Sequence, residues 1–561
     1  MGRTDQVDAV LAAMSLEHKV GQLFVPYVTG GSADTAAAEN RARFGVGTPA
    51  EAVARYHPGG VIYYAWSGNT CSPGQIAEFG NGLQRANAAA GNPVPLSIAT
   101  DQETGSVARI GPPATVLIDS MALGAARDPR LTHDAYQITG RELRALGITA
   151  DYAPDADVNV NPANPVIGIR SFSSDPSVVA AHVSAAVRGL QDAGVSATAK
   201  HFPGHGDTNA DSHTSLPVIT HSRRQWETID APPFLAAIEA GVDAIMSAHL
   251  SFPALDPSGD PATFSHTVLT GLLRTDLGFD GVIATDSLRM AGVRLLGSDE
   301  QIAIRALEAG ADVLLDPQRP AAQFRAVVDA VRTGRLSEQR IEESVRRILL
   351  MKARRGVLDH PVVDTSLVAS IVGNRGHRDR ARAIGDRTTT LVIDDAGLVP
   401  LPAHRRTLVT GWGDSQVPQI ATGLRQRGWA VDVLLTGASP SSAAISTAVR
   451  WARIADQVVI TTSDVRQDSG QQRLVAALVE TTKPVLVLAL GNPSDFAYLP
   501  GVRSYLAACS ATSVAVEAGL RVIAGQTAAQ GRLPVDIIDP ITGAVLVGFG
   551  AGLAKGLAAE Q

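Results

Sequence analysis

Short apolar runs alternate with amphipathic stretches along roughly the first 350 residues of the chain. Eight runs have the length and the β-branched or aromatic content of buried strands: Gly21–Val28, Gly59–Ala65, Pro95–Thr100, Ile148–Ala153, Val195–Lys200, Ala244–Ala248, Gly281–Thr285 and Ala311–Leu315. Between them, segments such as Asp134–Leu146 and Ser177–Ala193 carry apolar residues at three- and four-residue spacing and predict helices. Repeated strand–helix units imply a parallel sheet with helices outside, and eight of them predict a closed (β/α)8 barrel. The first polar residues after the strands sharpen that expectation. Asp101 follows the third run, Asp155 and Asp157 the fourth, His201 the fifth, His249 the sixth, Asp286 the seventh and Asp316 the eighth. A barrel gathers those ends on one rim, where active sites sit. One such Asp is readily explained as a cap for the next helix; so many ionisable groups on one rim predict a site.

An amphipathic, charge-paired helix is expected over Leu336–Arg355, and Gly356 and Pro361 then break the pattern. The chain is therefore expected to divide into a barrel over 1–355, a junction over 356–385 and a second α/β unit over 386–561. In the second unit Thr388–Ile393, Thr407–Thr410, Val431–Leu435, Gln457–Thr461, Pro484–Leu490 and Ser504–Ala508 alternate with helical stretches such as Gln416–Arg427 and Gln471–Thr481. This pattern predicts an open α/β sandwich. No glycine-rich nucleotide-binding motif opens any of its units.

Composition narrows the partners. The 561 residues exceed a single core, and 45% hydrophobic with 18% charged residues is an ordinary globular balance. The net charge is −7 and no Lys/Arg block stands out, so neither nucleic acid nor an anionic membrane is an expected partner. No apolar run reaches the ~20 residues that span a bilayer. Met1-Gly2-Arg3-Thr4-Asp5 leads into a helix without a secretory pattern, so the expectation is a soluble chain, cytoplasmic as it stands or exported with its leader already removed. Cys71 and Cys509, far apart, are expected as free thiols.

The densest chemistry lies in residues 200–217, KHFPGHGDTNADSHTSLP. In an extended segment Asp211 and His213 project to one side. A carboxylate there fixes the imidazole tautomer and raises the basicity of its far nitrogen, which can then give or take a proton near pH 7. Asp286 closes an uncharged apolar run, and a carboxylate so placed can attack a sugar C1. Asp101-Gln102-Glu103 offers acceptors for paired hydroxyls, with Arg109, Arg170, Lys200 and His201 as donors opposite. A metal set from His201, His205 and His213 with Asp207 is the enzyme rival. A sugar-binding protein that has lost its chemistry is the non-enzyme rival.

These motifs together resemble glycoside hydrolase family 3, in its bacterial β-N-acetylglucosaminidase branch. The resemblance rests on K-H-F-P-G-H-G-D with D-S-H (Lys200–Asp207, Asp211–His213), D-Q-E with a downstream Arg (Asp101 to Arg109), I-G-I-R-S-F (Ile167–Phe172) and A-T-D-S-L-R-M (Ala284–Met290), in one order along the barrel. It implies a retaining exo-hydrolase without metal or organic cofactor. Asp286 is then the nucleophile, His213 held by Asp211 the acid and base, and Asp101, Arg109, Arg170, Lys200 and His201 the binders of N-acetylglucosamine. Its substrates are small carbohydrates, chito-oligosaccharides or cell-wall muropeptides, with β-glucosides as an alternative. A neutral histidine base also admits phosphate in place of water, hence a phosphorylase alternative. Thr104-Gly105-Ser106 departs from the family's G-G-R and bears on the leaving-group side.

Overall fold

The computed structural model describes residues 3–212 and 214–554. The eight apolar runs become eight short strands: β1 (Phe24–Val25), β2 (Gly60–Ile62), β3 (Ser97–Thr100), β4 (Ala150–Asp151), β5 (Ser196–Phe202), β6 (Ala244–Ser247), β7 (Val282–Thr285) and β8 (Leu314–Leu315). Strands β2 to β7 pair in sequence order, all parallel. Strand β1 pairs with β8, and single bridges Tyr27–Ile62 and Ala284–Val313 join this pair to the other six. The ring is closed, as eight strand–helix units require.

The helices begin where the sequence supplies caps. Asp175 accepts the amides of Ser177 and Val178 ahead of Pro176–Asp192, with Pro176 in the first turn. At the end of the ring away from the polar rim, the buried Lys352 ammonium donates to Gln22 Oε1 and to the Pro95 carbonyl, both at 2.8 Å. Burial lowers its pKa to about 7.

The second unit is a six-stranded sheet of β9 (Thr390–Asp394), β10 (Arg406–Gly411), β11 (Ala430–Leu435), β12 (Gln457–Thr462), β13 (Val485–Ala489) and β14 (Ser504–Ala507). Their order is β9-β14-β13-β12-β10-β11, parallel except for the antiparallel β9–β14 pair. Helices Gln416–Gln426 and Ser513–Ile523 close one face over their own core. The other face runs on into the apolar cluster of the barrel. Glu142 of the barrel helix Pro129–Ala145 ties the junction to the barrel, accepting the Gly373 amide at 2.9 Å and contacting His377 Nδ1 at 2.7 Å.

Cys71 is exposed and Cys509 buried, both unbonded to each other. No helix among the described residues is long and apolar enough to cross a membrane.

Candidate functional site

A cavity of about 720 Å³ opens on the polar rim. Asp101, Arg109, Arg170, Lys200, His201, Asp211 and Asp286 all line it, from the ends of β3, β5 and β7 and the loops after β3, β4 and β5. His213 lies outside the described residues.

Glu103 is the organising charge. It is 3% exposed and accepts the Arg170 guanidinium through Nε and Nη2, both at 2.8 Å. Lys200 Nζ lies 2.5 Å from the same carboxylate and 3.2 Å from Asp101 Oδ1. Arg109 approaches Asp101 Oδ2 at 3.6 Å. Burial pushes the Glu103 carboxyl up, but Arg170 and Lys200 outweigh it and hold it well below the usual carboxylate range. The acidic segment was expected to meet sugar hydroxyls, yet its Glu103 is spent on fixing two of the expected donors.

His201 is oriented by Asp157, which contacts its Nδ1 at 2.7 Å and also accepts the His201 and His205 amides at 3.2 and 2.6 Å. Its Nε2 lies 3.5 Å from Arg170 Nη2. Asp155, beside Asp157, is pushed well above the carboxylate range by burial and by its charged neighbour. Asp155, Asp157 and His201 bring ligand atoms within 4.8 Å of one another, a spacing that would admit a cation. That set is different from the rival proposed on sequence grounds. His205 Nε2 pairs with Ser212 Oγ at 3.0 Å, and Asp207 turns to His221.

Asp286 lies against the barrel's charged groups. Burial raises its pKa, but His249, His201, the Ser287 amide and Lys200 outweigh it, so the carboxyl sits below its ordinary value and is ionised at neutral pH. The Ser287 amide donates to Asp286 Oδ1 at 2.7 Å. His249 is fixed between Thr263 Oγ1 at 2.8 Å and the Ser287 carbonyl at 3.0 Å. Asp316 accepts from Ser287 Oγ at 2.9 Å and from the Tyr64 hydroxyl at 3.4 Å. Position after a strand flagged His249 and Asp316; nothing local flagged Glu103 as the hub or Tyr64 and Trp66 as cavity walls.

The loop between β5 and β6 is held from below. A Cβ at Gly206 would lie 1.8 Å from the Val158 carbonyl, and one at Gly292 would lie 2.7 Å from the Ser215 carbonyl, so only glycine permits these approaches. His221 lies between two carboxylates, 3.0 Å from Asp207 Oδ2 and 2.7 Å from Asp230 Oδ2. Hydrogen bonds to Asp207 and Asp230 raise its pKa to about 10, against the opposing effect of burial. A raised folded value means that this stabilisation is complete below the unfolded value of about 6.5 and is lost as pH rises through about 10. His221→Gln should therefore lower the melting temperature most at pH 6 and cost progressively less as pH rises from about 6.5 toward 10. A deficit that does not vary with pH would contradict the clamp.

The expected departure at Thr104-Gly105-Ser106 also has a structural place. Ser106 donates through its amide and hydroxyl to Asp119 Oδ1, at 2.7 and 2.6 Å, and Asp119 N donates to Ser510 Oγ of the second unit at 3.3 Å. The turn thus belongs to the contact between the two units.

Comparison with known proteins agrees with this architecture. Residues 15–351 match the N-terminal domain of glycosyl hydrolase family 3 and residues 377–544 its C-terminal domain. A β-N-acetylglucosaminidase of this family from Paenibacillus sp. str. FPU-7 superposes with a TM-score of 0.86 at 36% identity, over 94% of this chain and 99% of that one. Beta-hexosaminidase A of Pseudoalteromonas piscicida is 37% identical over 63% of this chain, which spans 62% of that relative's length. A Beta-N-acetylglucosaminidase/beta-glucosidase of Cellulomonas fimi is 28% identical over 79% of this chain and 84% of its own. The chain belongs to glycoside hydrolase family 3.

Proposed function

We propose that this glycoside hydrolase is a retaining, exo-acting β-N-acetylglucosaminidase. The observation that carries the proposal is the Asp286 carboxylate, kept ionised on the wall of a sugar-sized cavity shared with Asp101, Lys200, His201 and Arg170. Asp286 attacks the anomeric carbon; the bond to the leaving oxygen breaks as His213, oriented by Asp211, protonates it. The glycosyl-enzyme is then hydrolysed by water that His213 deprotonates. Asp101, Arg109, Arg170, Lys200 and His201 hold the hydroxyls and acetamido group of the terminal sugar. The printed names of two relatives, a beta-hexosaminidase and a β-N-acetylglucosaminidase, support N-acetylglucosamine in this position.

Mass spectrometry of the enzyme trapped with a 5-fluoro N-acetylglucosaminide tests the nucleophile directly. The label is expected on Asp286, and a label elsewhere would reject the assignment. His213→Ala is expected to lose roughly 10²–10⁴-fold in kcat/KM on chitobiose and far less on the p-nitrophenyl glycoside, whose leaving group barely needs an acid. Equal losses on both would remove His213 from that role. Activity is expected to survive EDTA. Inactivation by chelation with recovery on adding a divalent cation would instead favour a cation at Asp155, Asp157 and His201.

A further inference from the structure

Trp66 is 59% exposed, more than the other exposed tryptophan, Trp451, at 39%. It does not sit on an open face: it lines the same cavity as Asp286 and Arg289. Nor is it loose. Its ring stacks on Tyr64 at 5.1 Å and 17°, and meets Tyr27 edge-on at 4.6 Å. The Arg289 guanidinium lies 5.1 Å from its ring centre. The short helical turn that carries it, Ala65–Ser67 after β2, is pinned by its own polar groups. Ser67 Oγ donates to the Tyr64 carbonyl at 2.8 Å, the Gly30 amide donates to the Ser67 carbonyl at 2.9 Å, and Asn69 Nδ2 donates to the Val28 and Gly30 carbonyls at 3.0 and 2.8 Å.

A rigid, wet indole beside a guanidinium suits one ligand chemistry in particular. A pyranose ring presents a face of C–H groups that covers an aromatic plane, and hydroxyls around its edge that accept from Arg. The ring contacts of Trp66, to Tyr64, Tyr27 and Arg289, include none of Glu103, Arg170 and Lys200, the hub that on the reading above serves the reacting sugar. We infer that Trp66, with Arg289 beside it, is the platform for the sugar ring on the leaving-group side, so that the enzyme prefers saccharide leaving groups to ones without a ring. The inference rests on the glycosidase reading above and adds to it the chemistry of the leaving group. It also explains a tryptophan that the barrel core does not use.

The test compares two substrates with alkoxide leaving groups, N,N′-diacetylchitobiose and methyl β-N-acetylglucosaminide, so that both need the same proton donor. In Trp66→Ala the ratio of kcat/KM for the disaccharide to that for the methyl glycoside is expected to fall roughly ten-fold, the size of one aromatic contact. Trp66→Phe is expected to keep most of the ratio. Trp66→Leu fills the same wall without an aromatic face and gives the same reading if the alanine variant does not fold. A ratio unchanged in both Trp66→Ala and Trp66→Leu overturns the platform while leaving the glycosidase reading intact. Failure of the unmodified enzyme to cleave either substrate overturns that reading, and the platform with it.

Discussion

Asp286→Asn is expected to remove about 10³-fold or more of kcat while leaving the melting temperature within a few degrees of the parent. The loss follows from chemistry, because an amide cannot form the glycosyl ester and the reaction has no comparable second route. The small effect on stability follows from surroundings. The Asp286 carboxylate is held by His249, His201, Lys200 and the Ser287 amide, and it lines an open cavity rather than the packed interior. An asparagine keeps the shape and the bond from Ser287. The same electrostatics fix the pH profile. With its pKa below the ordinary Asp value of about 3.9, Asp286 is fully ionised through the neutral range. A fall in kcat/KM on the acid side near neutrality therefore reports another group, and it should persist in shape in any variant that leaves His213 in place. Retention of more than a tenth of kcat by Asp286→Asn would show that the covalent step runs through a different residue.

Much of this site was legible because barrel strands announce themselves. A run such as GVIAT is too apolar for a surface and too short for a core helix, so the first charged residue after it must emerge at a strand end. That logic placed Asp101, His201, His249, Asp286 and Asp316 on one rim, and all five are found at strand ends there. It failed where position depends on a distant partner. Glu103 lies in a short polar hairpin, Gln102–Thr104 with Val107–Ala108, whose residues have no strand-like period. Its role comes from Arg170, 67 positions later, and from Lys200, and no local pattern encodes such a meeting. The antiparallel course of β9 was equally invisible, because alternation of apolar residues is the same in either direction. Trp66 carries no signal in the sequence, because one aromatic in the short turn Ala65–Ser67 has no periodicity at all. The hairpin of Ile537–Ile538 with Val545–Val547 escaped for the same reason, being two and three residues long.

Glu103→Gln should be the most damaging single change away from the reacting atoms, costing about 3–5 kcal/mol of stability together with most of the activity. Its carboxylate faces two cations whose side chains are 15% and 4% exposed, Arg170 and Lys200. A neutral amide of the same shape leaves both charges desolvated with weaker compensation: Asp101 at 3.2 Å for Lys200, Asp155 at 3.7 Å for Arg170. Those residual contacts put the cost at the lower end of the range. Asp155, whose pKa burial and Asp157 push well above the ordinary carboxylate range, is a weaker counter-charge to Arg170 than Glu103. The pH dependence separates this account from a mere packing defect. Glu103 has a depressed folded pKa, so its stabilisation is complete above the unfolded value of about 4.3 and is lost as pH falls below it. The gap in urea midpoint between the parent and Glu103→Gln should therefore be wide at pH 7 and narrow steadily below pH 4, as the parent loses what the variant never had. A gap of constant width across that interval would mean that the three charges do not form the hub of the site, and that Lys200 and Arg170 are held in the cavity by packing alone.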